Sequence, residues 1–172
     1  MPNSKLDPRI AVYTGTFDPV HRGHLDVIAR GSRLFDRVIV GVGINPDKQT
    51  FFDIDERVRL IQEIAVEFKN VEVRKFDGLA VRFVRGVGAR IMVRGLRTLS
   101  DMEYEFTMSL MNSNLDPEIE TVFLMAKEEF SHVSSSLLRQ IAQLGGDLTK
   151  FLPEPVKTAL VERARRGIGT GD

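Results

Sequence analysis

The chain has no cysteine, no net charge and no apolar run long enough to cross a bilayer. The first absence removes disulfides, thiolate catalysis and Cys-based zinc sites together. The apolar runs fall short of the ~18 residues that a membrane helix needs. Met1-Pro2-Asn3-Ser4-Lys5 also lacks the apolar core of a signal peptide. A cytoplasmic location with no membrane partner is therefore expected. Lys plus Arg number 24 and Asp plus Glu number 24, so no overall field draws the chain to nucleic acid. Any basic site has to be local. Internal repeats, low-complexity tracts and domain-splitting linkers are missing too, and no Gly-Lys-Ser/Thr forms a P-loop.

What is present is 172 residues, 42% apolar and 28% charged, which suits one domain with a full core. That domain is expected over residues 1–166. The tail 167–172 has little apolar content and is expected to be disordered. Strand-like runs occur at Ile10–Tyr13, Arg37–Val42, Val71–Phe76, Ile91–Val93 and Thr121–Met125. Helical periodicity lies between them: Leu25, Ile28, Ala29 and Ser32 share one face, and Ile54, Val58, Ile61, Ala65 and Phe68 share another. Asp53-Ile54-Asp55-Glu56 reads as a capping box, and Ser100-Asp101-Met102-Glu103 as a second one before a helix reaching about Leu115. Shorter helices are expected near Leu79–Val87, Ser135–Leu144 and Pro155–Arg166.

Strands alternating with helices predict an α/β fold, a Rossmann-like, doubly wound, five-stranded parallel sheet with helices on both faces. Such sheets bind ligands beyond the carboxyl ends of their strands, at a topological switch point. The loops at those ends are Thr14–Gly23, Gly43–Phe52, Asp77–Gly78, Arg94–Leu99 and Ala126–Ser134. Nearly all the unusual chemistry of the sequence falls in them.

The first loop is the most informative. Thr14-Gly15-Thr16-Phe17-Asp18-Pro19-Val20-His21-Arg22-Gly23-His24 joins a buried strand to an amphipathic helix, the geometry in which backbone N–H groups converge on an anion. Gly15 and Gly23 are read as permitting close approach to a ligand, and Asp18-Pro19 as a turn signal. His24 stands where a phosphate would lie. Two of the three histidines fall in this one joint, which favours function over coincidence. Lys48 follows the second strand, and a solvated lysine is the plainer reading of it alone. Arg94 and Arg97 flank Gly95 and Leu96 after a buried strand, and guanidinium groups there can grip phosphate. Glu105 and Asn112 share a helix face. Met102, Phe106, Met108, Leu110 and Met111 read as core or subunit contact. Phe130, Ser131, His132, Val133, Ser134, Ser135 and Ser136 lead into a helix, with Ser134 or Ser135 as cap and free donors for triphosphate oxygens. No nucleophile with an activating base is evident, which counts against a hydrolase.

These residues together resemble the bacterial phosphopantetheine adenylyltransferases, within the nucleotidyltransferase superfamily that carries the HxGH motif. His21-Arg22-Gly23-His24 is that motif, and the likeness extends to Gly15–Pro19, Arg94–Arg97, Asp101–Glu105 and Val133–Ser136 over the chain to about residue 166. The resemblance implies transfer of the adenylyl group of ATP to 4′-phosphopantetheine, giving dephospho-coenzyme A and pyrophosphate. His24, Thr16, Lys48 and Arg94 would then carry catalysis. Thr16, Phe17, His24, Gly95, Leu96, Arg97, Glu105 and Phe130–Ser136 would bind ATP. Thr16, Lys48, Arg94, Ala80 and Asn112 would bind the acceptor. Magnesium would ride on the ATP phosphates without a protein metal site, the assembly would be a hexamer, and coenzyme A would act as feedback inhibitor. The alternatives are a nucleotidyltransferase with another nucleotide or acceptor, or a non-catalytic nucleotide-binding protein on the same fold. Two positions depart from the family: Thr14 replaces a frequent proline, and His21 stands where many members have threonine or asparagine. His21 is therefore expected to be dispensable.

Overall fold

A computed structural model describes residues 5–44 and 49–168. Its elements run β1 (Asp7–Gly15), α1 (Arg22–Leu34), β2 (Arg37–Gly43), α2 (Ile54–Ile64), β3 (Val71–Phe76) and α3 (Ala80–Gly86). They continue through β4 (Ala89–Leu96), α4 (Leu99–Leu115), β5 (Glu120–Met125), α5 (Ser135–Gln143) and α6 (Glu154–Ile168), with a 3-10 turn at Glu128–Phe130. Residues 169–172, most of the expected tail, lie outside the described residues, while α6 runs through Ile168.

The five strands form one parallel sheet in the order β3-β2-β1-β4-β5. The expected fold class is therefore the observed one. Side-chain alternation into two cores explains why the three central strands β2, β1 and β4 carry continuous apolar runs. Ala11, Tyr13, Val40, Val42 and Val93 enter the larger core beneath α1, α2, α5 and α6. Val12, Ile39 and Met92 enter the smaller core beneath α3. β2 carries a glycine because the smaller face leaves no room: a Cβ on Gly41 would sit 2.7 Å from the Phe83 ring, which stacks on Phe76.

After β3 the chain crosses back over the sheet, so its direction of winding changes between β1 and β4. The carboxyl ends of those two strands open a crevice there. Local chemistry sets the helix starts around it. Asp53 and Glu56 form the expected capping box of α2, with side chain-to-backbone bonds of 2.8 and 3.0 Å. At α4 the cap is Thr98, whose hydroxyl accepts from the Asp101 N–H at 3.2 Å, rather than Ser100. Ser134 caps α5.

Helix α4 differs from the others. Leu99, Tyr104, Leu110, Met111 and Leu115 are all exposed, and no apolar side chain of α4 enters either core. Its periodicity is weak because apolar residues occur on more than one side. The core alternative for Phe106, Met108, Leu110 and Met111 is thus set aside by their exposure.

Candidate active site

The crevice between β1 and β4 encloses about 500 Å³, a size that takes a nucleotide-scale ligand. Its lining brings together Thr16, Phe17, His24, Arg94, Gly95, Arg97, Glu105, Phe130, Ser134, Ser135 and Ser136 from segments far apart in the chain. Leu96 and Val133 are instead core side chains beside it. Ser131 and His132 line a shallow surface depression with Lys127, Glu128 and Glu129. Ala80 begins α3 and Asn112 sits on α4, with its amide 3.7 Å from Met92 Sδ; neither lines the crevice. Lys48 lies outside the described residues.

The β1–α1 loop is held in an unusual backbone shape. Phe17 has φ +51°, the left-handed region that costs a non-glycine residue on the order of 1 kcal/mol, and Asp18-Pro19 is cis. Packing sustains the shape: the buried Phe17 ring stands edge-on to Tyr13 at 5.3 Å and to His24 at 5.0 Å. Both glycines line the crevice, and they also serve this packing. A Cβ on Gly15 would lie 2.9 Å from the Phe17 ring, and one on Gly23 would lie 3.1 Å from the His21 ring.

Asp18 is more than a turn residue. Its buried carboxylate accepts the N–H groups of Phe51 and Phe52 at 2.7 and 2.9 Å and pairs with Arg139 of α5 at 3.3 Å. Arg57 of α2, also buried, donates to the Thr16 carbonyl at 2.7 Å and the Gly43 carbonyl at 3.1 Å. These bonds fasten the loops after β1 and β2 to each other and to α2 and α5. Sequence reading missed Arg57 and Arg139. Each lies in an ordinary amphipathic helix, and no local pattern marks the carbonyls or carboxylate it reaches.

Arg94 is a second fixed point. It grips both oxygens of Glu105 at 2.7 and 2.6 Å, and its Nη1 donates to the Thr14 carbonyl at 2.6 Å and the Thr14 hydroxyl at 3.1 Å. Burial works against its charge, but the Glu105 bonds outweigh burial and keep its pKa above the ordinary value. The threonine at position 14 thus supplies a hydroxyl contact that proline would lack. Arg97 is held by Asp101 at 2.8 Å and by the Val133 carbonyl at 2.6 Å. Ser135 Oγ donates to the Pro19 carbonyl at 2.9 Å, joining the start of α5 to the first loop.

At the start of α1 the two histidines bond reciprocally. His21 Nδ1 accepts the His24 backbone N–H at 3.3 Å, and His24 Nδ1 accepts the His21 backbone N–H at 3.2 Å. The rings stack with centroids 3.6 Å apart. Burial, then the charge of Arg97, pushes the His21 pKa down to about 3. Burial, then His21, Arg97 and Arg94, holds His24 well below its ordinary value. Both rings are neutral at physiological pH. The crevice therefore offers fixed cations, hydroxyls, a neutral imidazole and two helix N-termini to an anionic ligand. Among the described residues, no three His, Asp or Glu side chains gather as a metal site.

Comparison with known proteins agrees with this arrangement. Residues 12–141 match the cytidylyltransferase-like family. A phosphopantetheine adenylyltransferase of Rhodopirellula baltica is 56% identical over 158 residues, covering 90% of this chain and 88% of the relative. Another of Thioalkalivibrio sulfidiphilus is 52% identical over 158 residues, covering 92% and 98%. A crystal structure from Vibrio parahaemolyticus that carries the name nicotinate-nucleotide adenylyltransferase superposes with a TM-score of 0.66 over 90% of this chain and 93% of that one. At 19% identity it shows a shared fold.

The neutral histidine pair makes stability depend on pH. Below the ordinary histidine pKa of about 6.5 the unfolded chain binds protons that the folded chain refuses, so stability falls as pH drops. Urea unfolding at pH 5.5 should show a clear loss of stability relative to pH 7.5, a range in which most carboxylates stay ionised. The loss should be smaller in His21→Asn. Equal stability at both pH values would contradict the buried, neutral pair.

Proposed function

Because the chain belongs to the phosphopantetheine adenylyltransferase family and so transfers the adenylyl group of ATP to 4′-phosphopantetheine, releasing pyrophosphate, we propose that it works by placing two phosphates in the β1–β4 crevice. The observation that carries this reading is the neutral His24 ring at the head of α1, on the crevice wall. The acceptor's phosphate monoester is itself an anionic nucleophile near neutral pH, so no protein base is required. Its oxygen attacks the α-phosphorus of ATP, a new P–O bond forms, and the bond to pyrophosphate breaks. What the chain supplies is alignment and hydrogen-bond donors to the charge that builds on the α-phosphate.

In this reading His24 donates from Nε2 to the α-phosphate in the transition state. Thr16 contacts the phosphates of both substrates, and the Phe17 backbone meets ATP. Arg94, with Lys48, holds the acceptor phosphate. Gly95, Leu96, Arg97 and Glu105 form one wall of the ATP site, and Phe130–Ser136 form the other, Leu96 and Val133 contributing backbone. Ala80 and Asn112 would reach the pantetheine arm from outside the crevice proper. Magnesium arrives bound to the ATP phosphates, as part of the substrate. That accords with carboxylates that are already committed, Asp18 to backbone N–H groups, Asp101 to Arg97 and Glu105 to Arg94.

Three further proposals concern the working enzyme. It assembles as a hexamer, a reading supported by the exposed apolar residues of α4, which make a patch better suited to subunit contact than to water. Coenzyme A occupies the acceptor site as feedback inhibitor. The site of action is the cytoplasm, where ATP is supplied; none of the helices among the described residues is long and apolar enough to cross a membrane.

Pyrophosphate release from ATP, magnesium and 4′-phosphopantetheine tests the mechanism. It should stop without magnesium and slow when coenzyme A competes with the acceptor. His24→Ala should lower kcat at least ~100-fold while ATP still binds. Equal losses in binding and turnover would make His24 a ground-state contact instead. Sedimentation should give six times the 19.4 kDa chain mass, and a monomer at micromolar concentration would refute the hexamer.

A further inference from the structure

We propose that His21 is a positioning residue, whose side chain holds His24 as the Nε2–H tautomer with that N–H available to the crevice. The proposal rests on the reading of His24 as the donor to the α-phosphate. It reverses the expectation that position 21 is dispensable.

The argument starts from the bonds at the two rings. Each Nδ1 accepts a backbone N–H, His24 Nδ1 from residue 21 at 3.2 Å and His21 Nδ1 from residue 24 at 3.3 Å. A ring nitrogen that accepts a hydrogen bond carries no proton. The hydrogen of the neutral imidazole therefore sits on Nε2. His24 Nε2 has no hydrogen-bond partner among the described residues, and the ring lines the crevice. The one donor of the His24 side chain is thus left for a ligand.

The backbone N–H of residue 21 selects the tautomer, and any residue but proline could offer it. The imidazole of His21 determines where that N–H points. It caps α1 in place of the usual hydroxyl or carboxamide, which fixes residue 21 in the extended conformation, φ −139° and ψ 173°. It also lies flat against His24, with the ring planes 22° apart. On another side the Phe17 ring meets His24 edge-on. Between these two rings the imidazole of His24 is confined. The room for the His21 ring comes from Gly23, where a Cβ would fall 3.1 Å from both Cε1 and Nδ1 of His21. The motif His21-Arg22-Gly23-His24 is therefore one packed unit: a cap that also stacks, the glycine that makes space for it, and the donor it aims.

A direct role for His21 as a phosphate ligand would be a different proposal, and kinetics separate the two. Wild type, His21→Ala and His21→Asn are compared by kcat and KM for ATP, and by ¹⁵N NMR of the histidine rings. Asparagine restores the cap without the stack. The wild-type spectrum should show His24 protonated at Nε2 and unprotonated at Nδ1. His21→Ala should lose about tenfold in kcat with KM for ATP within about twofold, and its His24 signals should move toward mixed tautomers. His21→Asn should recover most of the turnover and the wild-type tautomer. If alanine prevents folding, the asparagine variant and the wild-type spectrum decide the matter. An Nδ1–H tautomer in wild type, wild-type turnover in His21→Ala, or a loss confined to KM would each overturn the proposal. A wild-type protein that releases no pyrophosphate would instead defeat the functional reading, while the spectrum would still report on the tautomer.

Discussion

The carboxylate of Asp18 is the interaction on which the site most depends. The site is built from loops, and loops at strand ends have backbone groups that no sheet or helix satisfies. Asp18 lies between two such loops and accepts two backbone N–H groups from one while its own backbone belongs to the other. The Arg139 pair ties the same residue to α5, the helix whose serines face the crevice. Arg57 completes the fastening from the far side by donating to a carbonyl in each loop. A buried carboxylate without these partners would cost several kcal/mol, so the bonds and the loop shape require one another.

That fastening makes the left-handed Phe17 tolerable, and Phe17 in turn packs behind His24. The consequence is electrostatic. A crevice for a triphosphate and a phosphate monoester would be expected to bring cations to bear through flexible side chains. Here Arg94 and Arg97 are each held by a carboxylate and by a backbone carbonyl before any substrate arrives. Their positions are set in advance, so little reorganisation remains for the reaction step. The histidine is neutral because it is buried and the surrounding positive charge disfavours another cation. A neutral donor gives up no proton to an ionised phosphate, which fits a reaction whose nucleophile is already charged.

Most of the fold was legible in the sequence, because strands buried on both faces show as unbroken apolar runs. Arg37–Val42 matched to within a residue at either end on that signal, and the edge strand Val71–Phe76, with Glu72, Arg74 and Lys75 interrupting its apolar residues, matched by its alternation instead. The ends of β1 and β4 were harder to read: both strands extend into polar residues such as Asp7 and Arg94, where hydropathy no longer marks them. The cap of α4 was misplaced because Thr98 and Ser100 are both good caps, and the choice depends on how β4 ends. In the site, local motifs brought out His24, Arg94, Arg97 and the serine run. What the sequence could not reveal were contacts over long separations, Arg57 to Thr16 and Arg139 to Asp18, since nothing in either helix marks the loop it reaches. The glycines were recognised for the crevice that both of them line, but not for the second constraint on them: side chains of the chain itself fill the space beside Gly15 and Gly23.

A crevice that aligns two phosphates and contributes no nucleophile of its own should transfer the adenylyl group in a single in-line displacement. The stereochemical course at the α-phosphorus measures this directly. With ATP made chiral there by sulfur substitution and isotopic labelling, one displacement turns the configuration over once. Inversion in the dephospho-coenzyme A product is the result this account predicts. Net retention would mean two displacements through an adenylylated residue of the protein, and would contradict it.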